Sequence, residues 1–378
     1  MRILLQVIVK EFLQLRRDRK ILPMIFIAPA IQLVLFGYAA NLDVSGIPLL
    51  LVDQDRTAAS RELAERFTGS GYFVLAGYED GTAAVERWLV DGRAQVALVI
   101  APGFGKETAA GRSPRVQLIA DGSDSNSAVV GLGYASRIIS EKSGVLIRNR
   151  IGNLAGPGAM SRLAAVELVP RTWYNPDLKS RWFYVPAILA MVIMVMTMVM
   201  ASMGVVREKE IGTMEQVIVT PIRSWQLIVG KLFPFAVIGI VDLLLVTSIA
   251  VWHFRVPLRG SFILLVLLTC LFLLTTLGLG LLVSTLVRTQ QQAMMASGFL
   301  LMTPMVYLSG LLFPIENMPA AIQYVTYAVP LRYYATVIRG IFLKGSGIGV
   351  LWPEALAMAG FGVSLLTIAS LRFRKRLD

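Results

Sequence analysis

Glu208 and Glu215 stand seven residues apart in the segment Arg207–Pro221, which reads R-E-K-E-I-G-T-M-E-Q-V-I-V-T-P. Seven residues are two helical turns, so the carboxylates share one face, while Ile211, Met214 and Ile218 fall on another. Thr220-Pro221 is a natural stop, because proline disfavours helix at the residue before it. A charged helix of this kind catalyses nothing alone, but it offers a handle to a soluble partner. The segment lies between two long apolar runs, Trp182–Val206 and one that begins at Leu227.

Other reactive residue types are sparse. The single histidine, His253, has no cysteine or acidic neighbours at ligand spacing and does not read as a metal site. Cys270, the single cysteine, lies inside an apolar run, so no disulfide forms within one chain. A phosphate-cradling loop needs G-x-x-x-x-G-K-[ST]. The only Gly-Lys pairs are Gly105-Lys106 before Glu107 and Gly230-Lys231 before Leu232, so the chain is not expected to bind or hydrolyse ATP. No cofactor is expected either.

Asp242 is the one carboxylate near the middle of an apolar run, where charge is costly and demands a partner or water. It reads either as a residue meeting substrate, cation or proton, or as an interhelical hydrogen-bonding group. Lys231 opens the same run and is expected to snorkel towards water. Met194 and Met198 belong to a methionine-rich stretch that suits either a pathway able to repack or plain helix packing.

These residues must be positioned by membrane spans. The chain has 378 residues, 56% of them hydrophobic and 16% charged, with a mean hydropathy of +0.66. A net charge of +12 would suit nucleic acid, but the basic residues cluster beside the ends of apolar runs, as membrane topology requires. Residues 1–20 read as an interfacial amphipathic helix, or an ordinary soluble one, with Gln6, Lys10, Gln14 and Arg17 as its wet stripe. Ile21–Ala40 is the first span (residues 21–41 with its exit), too long for a cleaved signal peptide. Further spans are predicted at Trp182–Val206, Leu227–Trp252, Phe262–Val287, Ala293–Phe313 and Val350–Leu371.

Residues 42–180 differ in character. Short apolar runs at Ile47–Val52, Tyr72–Leu75, Ala94–Ile100 and Val116–Ala120 alternate with helical patterns, the signature of an α/β domain. A long helix is predicted from Ser125 to Asn149, and Gly152–Gly158 reads as a linker. Asp53, Asp55, Asp121 and Asp124 sit at strand ends, as ligand contacts or as turn and cap residues. Residues 314–349, with Pro314, Pro319 and Pro330, read as two short helices dipping into the outer leaflet or as a surface loop. Basic clusters place both termini and the 207–221 segment in the cytoplasm and the α/β domain outside. The fold class is thus an α-helical polytopic membrane protein of six spans with an inserted extracytoplasmic α/β domain. Residues 181–378 form its five-span part.

Several stretches, in order, resemble one family. They are Val52-Asp53-Gln54-Asp55, Asp121-Gly122-Ser123, Tyr174-Asn175-Pro176, the Arg207–Pro221 segment, Leu308-Ser309-Gly310, Pro314-Ile315-Glu316-Asn317-Met318-Pro319 and Pro330-Leu331-Arg332-Tyr333. Together they are similar to the membrane subunit of ABC type-2 exporters, in the branch with a large external domain after the first span. The resemblance implies a bacterial inner-membrane permease working as a dimer, with a second copy or a homologous permease. A separate cytoplasmic ABC ATPase would use the ATP. It also implies that Glu208, Gly212, Thr213 and Glu215 belong to the coupling helix, where carboxylates can pair with a basic groove. Pro314, Glu316, Pro330 and Arg332 fall in the outer re-entrant region and are outer-gate candidates; Asp242, Met194 and Met198 are pathway candidates. The substrate class is drug or lipid-like, and a periplasmic adaptor is a candidate partner. A membrane-anchored sensor or scaffold with a periplasmic ligand-binding domain is the alternative; it would not need the acidic coupling segment.

Overall fold

The computed structural model describes residues 2–17, 21–40, 46–155, 173–175, 179–212 and 224–372. It divides into two compact units, Met1–Leu42 with Arg171–Asp378, and Asp43–Pro170. The first unit opens with helix α1 (Arg2–Arg17), whose basic last turn, Arg16 and Arg17, complements the negative end of its dipole. Helix α2 (Ile21–Ala39) follows.

The second unit is built on a sheet. Its elements are β1 (Ile47–Asp53), α3 (Ala58–Thr68), β2 (Phe73–Glu79), α4 (Val85–Val90), β3 (Val96–Ile100), α5 (Phe104–Ala109), β4 (Val116–Ala120) and α6 (Ser125–Ala155). The strand order is β2-β1-β3-β4. β1 runs parallel to both neighbours and β4 antiparallel to β3. A central strand covered on both faces should be apolar, and β1 is so from Ile47 through Val52. Leu49 and Leu51 pack with Leu63 and Phe67 of α3, and Leu50 and Val52 with Val85 and Trp88 of α4. Gly77 of β2 has a packing reason, since a Cβ there would come 2.4 Å from the Trp88 ring. The Trp88 indole N–H donates to Glu79 at 2.9 Å, and Arg93 lies over its ring at 3.7 Å. The predicted linker 152–158 is helical through Ala155 as the end of α6; its remainder lies outside the described residues.

The first unit resumes with α7 (Ser180–Ile211), α8 (Ser224–Trp252) and α9 (Phe262–Leu286). Then come α10 (Gln290–Met295), a π-helical turn over Ala296–Leu301, α11 (Met302–Leu308), α12 (Ala320–Thr326), α13 (Pro330–Arg339) and α14 (Ile348–Arg372). Among the described residues four helices are long and apolar enough to cross a membrane: Ser180–Ile211, Trp225–Trp252, Phe262–Leu286 and Ile348–Arg372. Two predicted spans fall outside these four. α2, 19 residues long, overlies the first predicted span, whereas the predicted span Ala293–Phe313 is helical only through Leu308 and carries the π turn, which hydropathy cannot register.

α7 is apolar on all sides because it is surrounded, packing against α2, α8, α9, α10 and α13. Without a hydrophobic drive between helices, such contacts rest on small residues and hydrogen bonds. A Cβ on Gly280 of α9 would stand 2.5 Å from the Met198 carbonyl oxygen of α7. The Thr197 and Thr276 hydroxyls share a 2.8 Å bond across the same helix pair, and Ser297 of the π turn donates to Ser202 at 2.9 Å. α7 also runs past its predicted end at Val206. Glu208, Lys209 and Glu210 are good helix formers, and the first breaker is Gly212, at φ 80°. Residues 207–211 therefore continue α7, and the remainder of the predicted 207–221 helix, from 213 onward, lies outside the described residues.

Candidate functional site

The last turn of α7 carries Glu208, Lys209 and Glu210, and each grips a different element. Glu208 is 4% exposed. Its carboxylate lies 2.7 Å from the Lys10 ammonium of α1 and 2.6 Å from that of Lys231 in α8. Glu11 completes the cluster, 3.3 Å from Lys10 and 3.7 Å from Lys231. Lys209 donates to the Ser284 carbonyl near the end of α9. Glu210 accepts from the Gln290 side chain at 2.8 Å and from its backbone N–H at 3.2 Å, at the start of α10. Five helices thus meet at one turn.

The backbone packing allows this. α1 lies on α8, and a Cβ on Gly230 would come 2.6 Å from Val7. That close approach brings Lys10 and Lys231 to opposite sides of Glu208. Burying an ion costs several kcal/mol unless an opposite charge is well placed, and here two cations and two carboxylates alternate. Burial depresses the Lys10 pKa, but hydrogen bonding to Glu208 and the charges of Glu208 and Glu11 outweigh it and hold the pKa above its usual value.

Lys231 was expected to snorkel, yet it is 2% exposed; Glu208 supplies inside what water would have supplied. Sequence reasoning missed Lys10, Glu11, Lys209, Glu210 and Gln290 as partners. The usable signal was an opposite-charge pair, Glu208 and Lys231, at the facing ends of successive spans. Gly212 ends α7, while Thr213 and Glu215 lie outside the described residues.

The remaining candidates are dispersed. Asp242 is fully buried in α8, and neither carboxylate oxygen has a hydrogen-bond partner among the described residues. Met194 and Met198 are buried in the apolar core of α7. Pro314 and Glu316 are exposed, and Pro330 is buried at the first turn of α13, where its missing N–H costs nothing. The Arg332 guanidinium lies 3.9 Å over the Tyr327 ring and bonds Thr326, joining α13 to α12.

Two unpredicted residues anchor α13. Tyr334, fully buried, shares a 2.7 Å hydrogen bond with Thr269 of α9 and stacks on Phe272 at 4.0 Å. Arg339 donates to the carbonyls of Gly310 at 3.2 Å and Phe183 at 3.4 Å, and lies 3.8 Å over the Phe183 ring. His253 meets the Tyr38 hydroxyl at 3.0 Å.

In the sheet unit the strand-end acids serve turns. Asp53 accepts from Ser60 at 2.7 Å and from the Arg56 amide at 3.0 Å, where Arg56 has φ 52°. Asp55 accepts from the Thr57 hydroxyl at 2.5 Å and from the Gly103 and Gly105 amides at 2.7 and 2.8 Å. The Thr57 bond first, then these amides, hold its pKa below the ordinary value. Asp121 accepts from the Ser123 amide at 2.9 Å, and Asp124 from the Ser127 hydroxyl at 2.6 Å.

These features define a mostly helical membrane protein whose spans are tied together at one charged turn. Residues 19–371 match the family described as ABC-2 family transporter protein. The chain is 30% identical over 369 residues to the probable multidrug ABC transporter permease YbhR of Escherichia coli (strain K12), covering 97% of each chain. It is 31% identical over 371 residues to the probable multidrug ABC transporter permease YbhS of that organism, covering 98% of this chain and 96% of the relative. The inner membrane transport permease YhhJ, also from that strain, is 26% identical over 373 residues, with the same coverage. The chain belongs to the ABC-2 transporter family and is a permease subunit of an ABC transporter.

Proposed function

We propose that this permease works as a dimer, with a second copy or a homologous permease, and exports a drug-like or lipid-like substrate. A separate cytoplasmic ABC ATPase powers it. In this reading Ile21–Ala40 and Ala293–Phe313 complete six crossings of a bacterial inner membrane, both termini are cytoplasmic, and the sheet unit is periplasmic. The ATPase engages the segment that holds Thr213 and Glu215. Its movement reaches the spans through Gly212 and the last turn of α7, with Glu208 acting inside the permease rather than on the partner.

The observation that carries this reading is the convergence of α1, α8, α9 and α10 on Glu208, Lys209 and Glu210. A push on that turn is felt by every helix it grips, because packed elements shift as units. Two of the relatives are named as probable multidrug permeases, which supports a drug-like substrate. The test is co-purification from membranes of wild type and of Glu215→Arg. A cytoplasmic ATPase should accompany wild type and be lost from the variant. Absence of any ATPase from wild type would overturn the proposal.

A further inference from the structure

Beside the charged cluster, residues of α1, α2, α7, α8 and α10 line a partly open cavity of about 70 Å³. Leu15, Met200, Met203 and Phe235 form its apolar wall, and Gln14 and Arg207 contribute polar groups. The Gln14 Oε1 atom is buried and has no hydrogen-bond partner among the described residues. Glu11 and Gln290 line it as well and belong to the charged turn, whereas the apolar wall takes no part in that turn.

We propose that the cavity binds a small amphipathic molecule with an apolar ring or short chain and one hydrogen-bond-donating head, an amine or a hydroxyl. The apolar wall supplies most of the contact, as in most small-molecule sites, and a few placed polar groups fix orientation. A buried acceptor without a donor is costly, so a ligand that brings the donor regains what Gln14 lacks. The volume is about half that of the ~150 Å³ cavity known to admit benzene. Two unbranched thioethers, Met200 and Met203, can move aside to widen it. Glu11 lines both the cavity and the ion cluster, so an occupant touches the element that ties α1 to α7 and α8. That it serves as a waiting station for substrate rests on the export reading; binding itself does not.

The test uses the full-length protein in lipid nanodiscs, with phenol as probe and benzene as its headless counterpart, measured by equilibrium dialysis. Wild type should show one saturable phenol site per chain above lipid partitioning. Met203→Trp should remove it, and Met200→Phe provides a second filling variant if the first fails to fold. Gln14→Leu should weaken phenol about tenfold, the worth of one buried hydrogen bond, and leave benzene unchanged. Leu356→Trp, at an exposed position of α14, should change nothing. No saturable binding, or binding that survives both filling variants, overturns the site. Equal loss of both probes in Gln14→Leu overturns the donor-head assignment. Saturable binding in a protein that co-purifies no ATPase leaves the site standing while the export reading falls.

Discussion

The Glu208 carboxylate stands 2.6 Å from the Lys231 ammonium, with side chains 5% and 3% exposed, and joins the end of α7 to the start of α8. Lys10 reaches the same carboxylate from α1 but keeps half of its side chain in solvent. The two cations are therefore not equivalent.

Removing the buried partners singly should be expensive. Glu208→Ala is predicted to destabilise the protein by about 3–5 kcal/mol, because Lys231 is left buried with only Glu11 at 3.7 Å, and Lys231→Ala by less, because Lys10 stays 2.7 Å from Glu208. Lys10→Ala should cost under about 1 kcal/mol, since solvent screens that pair. The double variant Glu208→Leu/Lys231→Met should recover most of the loss. Thermal unfolding in nanodiscs checks the order.

Helix contacts through glycine give a second prediction. Gly280→Ala forces a Cβ against the Met198 carbonyl oxygen and should destabilise, because backbone cannot move aside cheaply. Gly360→Ala, whose Cβ would meet nothing within 4 Å, should stabilise α14 by up to about 1 kcal/mol. Opposite shifts in melting temperature are expected.

The α13 anchors separate by chemistry. Tyr334→Phe removes one hydroxyl and leaves Thr269 still donating to the Leu265 carbonyl at 2.7 Å, so its cost should be about 1 kcal/mol. Tyr334→Ala also opens a cavity and should cost about 3–5 kcal/mol. Arg339→Lys should release the Gly310 carbonyl, because a single ammonium cannot reproduce the fork and ring contact. Hydrogen exchange across residues 310–313 reads that release.

Acid should loosen one turn of the sheet unit. The Asp55 pKa is depressed by the Thr57 hydroxyl and by the Gly105 and Gly103 amides. Its stabilisation is therefore present above the ordinary value of 3.8 and lost as the pH falls through the lower folded value. Exchange at Gly103 and Gly105, corrected for intrinsic pH dependence, should accelerate only at that acid limit. Asp55→Asn should show the fast rate at neutral pH. Lys10 has the opposite sign: its raised pKa makes its contribution full below 10.5 and lost above the folded value.

Local patterns were legible in the sequence where one face or one run decides the structure. The apolar runs at Ile47–Val52 and Val116–Ala120 lie in β1 and β4, and a helix, α3 with Thr57 as its cap, follows the first of them as the alternation requires. The order of the strands was not legible, because pairing β1 with β3 is a long-range choice. Nor was the fate of the wet stripe of α1. Gln6, Lys10, Gln14 and Arg17 share a face by periodicity, yet Lys10 turns to Glu208 and Gln14 to a cavity. Lys10 and Glu208 are 198 residues apart, and no local rule connects them. The π turn after α10 escaped for another reason, since hydropathy measures composition and not the number of residues per turn.

The central claim, that Glu208 relays ATPase movement into the spans, is tested most directly at a distance from both. Glu316, exposed in the short turn before α12, is replaced by cysteine in a Cys270→Ser background. Its labelling by an impermeant maleimide is then followed in the reconstituted complex, with and without ATP and vanadate. The prediction is a several-fold change in labelling rate with Glu208 present, lost in Glu208→Gln while the ATPase stays bound. An unchanged nucleotide response in Glu208→Gln would contradict the relay.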